Sequence, residues 1–199
     1  MNPRVQSTFE KGMSYASYMQ FIGQLVEEKR TTGPKQTEKM AEYTRLNYHR
    51  MKRLEKTMKL IPEARIYFQS ITYPMNWLVI TEAWCGDAAQ LIPIFQKIAE
   101  LNPQIDLRFT WRDENPELMD LYLTHGSRSI PKLVAFEPGQ ATERAIWGPR
   151  PKEAHDLVLA YKENPSKPYE ELQQKLQIWY NKDKGIRSQQ ELIEAFGGK

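Results

Sequence analysis

At 199 residues the chain has room for one domain with a sizeable core and some further elements. A charged share of 27% beside 40% hydrophobic residues, with no apolar run near the roughly 18 residues a spanning helix needs, excludes the disordered and membrane classes. The net charge of +3 is modest but uneven, residues 1–75 carrying 13 Lys and Arg against 7 Asp and Glu and the remainder 15 against 18.

The amino-terminal segment is polar throughout and has no uninterrupted apolar stretch, so it makes a poor secretory signal. Ser7 and Glu10 in STFE have capping-box spacing and open an amphipathic helix through Phe21, Ile22, Leu25 and Val26, which Gly33-Pro34 stops. A second helix is predicted over about 35–60. Met51, Leu54, Met58 and Ile61 form one face of it, suited to the core, and Arg45, Arg50, Arg53 and Lys56 form a solvated opposite face. A basic leader of this kind attracts nucleic acid or an acidic partner when free. No aromatic-interleaved or Gly-rich nucleic-acid motif accompanies it, so it is expected to lie against the body of the chain.

From Asn76 onward the pattern alternates strands with helices, which argues for an α/β class. Strands are predicted at 77–81, 106–111, 132–136 and 144–147. Helices are predicted from the cysteine turn to about Leu101, where Asn102-Pro103 ends the first, and from Asn115-Pro116 through Leu123. The last two strands are joined by EPGQATE, whose Pro138-Gly139 pair reads as a hairpin turn, so the sheet is mixed. A helix over about 152–162 follows, then a linker from Asn164-Pro165 to Pro168 and helical segments at about 169–181 and 188–196. The predicted division is a helical extension at 1–63, a central domain at 64–163 and a helical tail at 164–199 that packs on it.

Cys85 is the only cysteine, and it sits where the apolar run NWLVI turns into a helix through Trp84-Cys85-Gly86. One cysteine forbids an intramolecular disulfide, and with the poor secretory signal this favours the cytoplasm. A cysteine at a helix N-terminus gains from unpaired N–H groups and the positive end of the dipole, which draw its pKa below the unperturbed ~8.5. Asp87 opposes that by repelling a thiolate. His49, His125 and His155 have no metal-ligand spacing with Cys85, so no zinc site is expected, and no phosphate loop, hydrolase elbow or dinucleotide fingerprint points to a cofactor. Asp113, Glu114, Glu117 and Asp120 surround a helix start, where acids suit the dipole.

These residues resemble the thioredoxin-like superfamily, in particular cytosolic bacterial members with a single-cysteine Trp-Cys-Gly-Asp-Ala turn. Trp84-Cys85-Gly86-Asp87-Ala88 is followed by Pro93, eight positions after the cysteine; Arg128-Ser129-Ile130-Pro131 leads straight into a strand; and the final hairpin ends at Gly148 before a helix. The match covers about 64–162. It implies a thioredoxin-like fold and a cis peptide at Ile130-Pro131 facing the cysteine. It departs from the dithiol pattern in three places: Ala88 replaces the second cysteine, Val79 the buried carboxylate six positions before the first, and Phe109 the lysine often paired with it.

Two functions remain open on this basis. In the first, Cys85 is the nucleophile of a monothiol exchange, set within reach of solvent, with Trp84, Gly86, Asp87, Ile130 and Pro131 as the surrounding binding surface and Arg128 as an electrostatic helper. A protein disulfide or a low-molecular-weight thiol would be its partner, and an external thiol would resolve the adduct. In the second, Cys85 is a small buried hydrophobe, Trp84 packs beside the turn, and the fold binds an extended polypeptide or acts as a chaperone-like module without chemistry. No cofactor, nucleic acid or membrane enters either, and neither sets an oligomeric state.

Overall fold

The computed structural model describes residues 2–140, 142–163 and 168–198. In place of one helix opening at the Ser7 capping box there are two, α1 (Pro3–Lys11) and α2 (Tyr15–Glu27). Asn2 and Ser14 cap them, their side-chain oxygens accepting the N–H groups of Arg4 and Ser17. Ser7 lies inside α1 and donates its hydroxyl to the Arg4 carbonyl. The break between the two helices has a tertiary cause. Met13 exchanges both backbone hydrogen bonds with Phe109, which binds the leader to a strand edge. No local periodicity carries that information.

α3 (Glu38–Thr57) follows, capped by Thr37, with Met51 buried. The sequence reading missed α4 (Pro62–Gln69), although Pro62 at its first turn and Glu63 beside it are ordinary start signals. β1 (Met75–Thr81) is buried at all seven positions, as expected of a strand covered on both faces. α5 (Gly86–Leu101), with Pro93 inside it, crosses over to β2 (Ile105–Trp111), which pairs parallel with β1. Asn102 ends the helix. Its amide donates to the Phe68 and Ile71 carbonyls at 2.7 and 2.8 Å, and its carbonyl oxygen accepts the Gln104 N–H.

α6 (Pro116–Met119) runs into a single 3-10 turn, Asp120–Tyr122, so the helix predicted through Leu123 is shorter than expected. β3 (Lys132–Phe136) pairs antiparallel with β1 on the side away from β2, and β4 (Glu143–Trp147) pairs antiparallel with β3. The resulting order is β2-β1-β3-β4, a mixed sheet flanked by helices, the thioredoxin-like arrangement that the resemblance implies. α7 (Lys152–Glu163), α8 (Tyr169–Asp183) and α9 (Ile186–Ala195) complete the chain. Apart from Pro168, the predicted linker lies outside the described residues.

One core joins leader, sheet and tail. Val5, Phe9, Tyr18 and Ile22 from the leader and Leu192, Ile193 and Phe196 from the tail are buried in the same cluster as the strands. Phe68, Trp77 and Phe196 meet with ring centroids 5.6, 5.6 and 5.2 Å apart, and Tyr18 stacks on Phe109 at 4.6 Å. Each such side chain stabilises by about 1.5–3 kcal/mol on burial, so the basic leader is held by its apolar face. Among the described residues no helix is long and apolar enough to cross a membrane.

Candidate functional site

The turn that carries Cys85 is fixed from the leader. Thr32 Oγ1 accepts the Ala83 N–H at 2.9 Å, and Asn47 Nδ2 donates to the Ala83 carbonyl at 3.1 Å. Both backbone groups of Ala83 are thereby satisfied by buried side chains, and the chain enters α5 in one orientation. Glu82, also buried, accepts the Asp113 N–H at 2.8 Å, and burial raises its carboxyl pKa.

Cys85 is the N-cap of α5. Its sulfur accepts the Ala88 N–H at 3.4 Å, and its S–H donates to the Ile130 carbonyl, also at 3.4 Å. The Ile130-Pro131 bond is cis, and Ile130 and Pro131 are both buried. Only 7% of Cys85 is exposed, which corrects the expectation of a sulfur within reach of solvent. The expected fall in its pKa is also overturned: burial first, and Asp87's charge second, push the thiol up to about 12. The Ala88 and Asp87 N–H groups and the Arg150 charge pull it the other way and lose. The helix terminus supplies the attraction foreseen, but desolvation of an anion outweighs it.

Asp87 does not stand alone beside the thiol. Its Oδ2 takes Arg150 Nη2 at 2.5 Å and Nε at 3.2 Å, while Oδ1 accepts the Tyr180 hydroxyl at 2.8 Å. The two charged side chains are 11% and 13% exposed, a nearly buried ion pair closed from above by α8. The compensating cation is therefore Arg150, and the helper role expected of Arg128 is corrected. Arg128 is exposed and holds Asp120 through two bonds of 2.7 and 2.8 Å. Its carbonyl accepts from Arg112, whose guanidinium lies 4.9 Å from the Trp84 ring centroid and also bonds Asp113. Trp84 is thus half-buried beneath a cation, and Gly86 is exposed with open space over its Cα.

Beside this turn, α3 and α8 form a cleft of about 370 Å³ lined by Tyr43, Asn47, Arg50, Trp84, Tyr169 and Gln177 among others. Arg50 donates to Asn47 Oδ1 at 2.8 Å, and no carboxylate pairs with it among the described residues. Burial first and the Arg53 charge second lower its pKa, against the pull of Asp87, so this guanidinium is partly desolvated. Sequence reasoning missed Thr32, Asn47, Glu82, Arg150 and Tyr180. Only Arg150 had a local signal, its place in the Gly-Pro-Arg-Pro turn that enters α7.

Residues 33–191 match the model of a family described as thioredoxin. A stretch of 64 residues, 32% of this chain, is 33% identical to Thioredoxin 1 of Synechococcus elongatus and spans 57% of that protein, a little over half its length. Among solved structures, the crystal structure of an HIV epitope scaffold superposes with a TM-score of 0.62 at 16% identity, over 98% of each chain. A protein of unknown function from Pseudomonas aeruginosa superposes with a TM-score of 0.53 at 20% identity, over 79% of this chain and 86% of that one. At such identities the two structures speak for the fold alone.

Proposed function

The chain belongs to the thioredoxin family, and from that footing we propose that it works as a polypeptide-binding module with Cys85 protonated and silent in this conformation. One observation carries the proposal: Cys85 is buried with its thiol pKa raised to about 12, while a cleft lined by phenol and guanidinium groups opens beside it. A thiolate is the attacking species in disulfide exchange, and this thiol is held neutral. The cleft instead offers the Arg50 guanidinium, only one of whose donors is taken by Asn47, and the exposed ring of Tyr169, groups that suit the carbonyls and side chains of an extended main chain. A setting in the cytoplasm of a bacterium, expected from the single cysteine, the poor secretory signal and the family resemblance, is part of the same proposal.

A second reading is monothiol exchange resolved by an external thiol. It is favoured by the sulfur's position as N-cap of α5, 3.4 Å from the carbonyl of the residue before Pro131.

Hydrogen exchange with a carboxymethylated, unfolded polypeptide separates the two. Protection is expected over 43–50 and 173–177, equal in wild type and Cys85→Ser, with no disulfide turnover in the presence of glutathione. No protection would remove the first reading; turnover lost in Cys85→Ser would install the second.

A further inference from the structure

Beside Arg150 lies a group of basic side chains that neither reading uses. Lys132 opens β3 directly after Pro131 and is only 4% exposed. Its Nζ donates to Thr124 Oγ1 at 2.6 Å and to the Gly148 carbonyl at 2.9 Å. Both acceptors are neutral, and no carboxylate pairs with it among the described residues. An ammonium has three donors, so one remains for another acceptor. Burial alone lowers its pKa, to about 8, and the group still carries its charge at neutral pH.

A cleft of about 340 Å³ opens over this lysine, lined also by Thr124, His125, Gly148, Arg150 and His155. His125, at φ 49 in the turn before the proline loop, stacks on His155 of α7 with ring centroids 5.5 Å apart and planes 16° from parallel. Both ring nitrogens of His155 are buried, and neither has a hydrogen-bond partner among the described residues. Buried polar atoms without partners are rare enough to need a cause. A metal does not supply one: among the described residues no group of three His, Cys, Asp or Glu could hold an ion. The charges around the cleft are otherwise spoken for. Arg150 faces Asp87, the Lys152 ammonium pairs with Asp156, and Glu191, which also lines the cleft, accepts the Lys152 N–H and lies 3.9 Å from the Arg187 guanidinium. What remains unmatched is one buried ammonium and an imidazole lacking acceptors or donors on both sides.

We propose that this cleft is a binding site for a small oxyanion, a phosphate or carboxylate group, with Lys132 supplying the charge and His155 a hydrogen-bond donor. An anion would give the ammonium its missing acceptor and the imidazole a partner, and charge-assisted bonds of this kind are the strong ones. Neither Cys85 nor the α3–α8 cleft takes part, so the proposal stands or falls apart from the functional readings above.

Inorganic phosphate titrated into the full chain, with sodium chloride at matched ionic strength as control, tests it by the ¹⁵N resonances of the histidine rings. A saturable shift of His155 and His125 is expected, weakened by about tenfold or more in Lys132→Met. The Met variant removes a charge that burial penalises, so the fold should persist; His155→Phe, equally weakened, is the second variant. Acetate in a parallel titration separates carboxylate from phosphate preference. A shift that is linear in concentration, equal with chloride, or unchanged in both variants would overturn the site.

Discussion

Iodoacetamide should label native Cys85 at pH 7.5 about three orders of magnitude more slowly than it labels an unperturbed thiol. A thiol of pKa ~8.5 is about a tenth ionised at that pH, whereas one raised to about 12 is ionised to a few parts in a hundred thousand. The logarithm of the rate should then climb in step with pH through the alkaline range without levelling near 8.5. Stability should record the same fact. A folded pKa above the unfolded one gives a contribution fully present below about pH 8.5 and lost as pH rises toward 12. Relative to Cys85→Ala, the wild type should therefore lose about 2 kcal/mol between neutral pH and pH 10. Taking the difference between the two proteins cancels Lys132, whose depressed pKa works in the opposite direction over an overlapping range. Labelling at the rate of free glutathione would mean that the sulfur is neither covered nor neutral, and the binding module would give way to monothiol exchange.

The parts of this molecule that could be read from the chain are those set by near neighbours. NWLVI announced a strand, Pro138-Gly139 announced the hairpin, and the Trp-Cys-Gly-Asp-Ala turn placed Cys85 at the start of a helix. Apart from α4, whose start signals were local, the errors share one physical origin, contact with residues distant in sequence. Gly12 to Ser14 leaves the helix because Met13 finds Phe109. Cys85 lost its expected ionisation to burial, and Asp87 lost its isolation to Arg150 and to a tyrosine 93 residues further on. Local rules price the dipole at a helix terminus correctly and say nothing of what covers it. One of the two partners of Asp87, Tyr180, comes from α8, an element outside the 64–162 span of the resemblance. The two buried hydrogen bonds that Thr32 and Asn47 make to Ala83 were hidden for the same reason. They also give the leader a task that its charge did not suggest: it holds the cysteine turn.

Arg150→Met should be the most destabilising single change at the site, costing about 3–5 kcal/mol in urea or thermal unfolding. Asp87 is nearly buried, and without the guanidinium its carboxylate would keep only the Tyr180 hydroxyl and the helix terminus. An uncompensated buried charge costs more than the pair itself contributes. The double variant Arg150→Met with Asp87→Leu should therefore recover much of the loss, a coupling of more than about 1 kcal/mol in the cycle. A loss below about 1 kcal/mol in Arg150→Met would mean that water reaches the pair and screens it. Tyr180→Phe probes the other ligand of Asp87. It removes one hydrogen bond to a charged group, about 1.5–3 kcal/mol, and with it a tie between α8 and the cysteine turn. Its alkylation rate then bears on function. Burial is the first cause of the raised thiol pKa, so a rate that rises steeply while Asp87→Asn leaves it nearly unchanged would identify α8 as the cover. A rate unmoved in both would assign the burial to the core around α5 and Ile130, which no partner could lift without unfolding the domain, and monothiol exchange would have no route to its nucleophile.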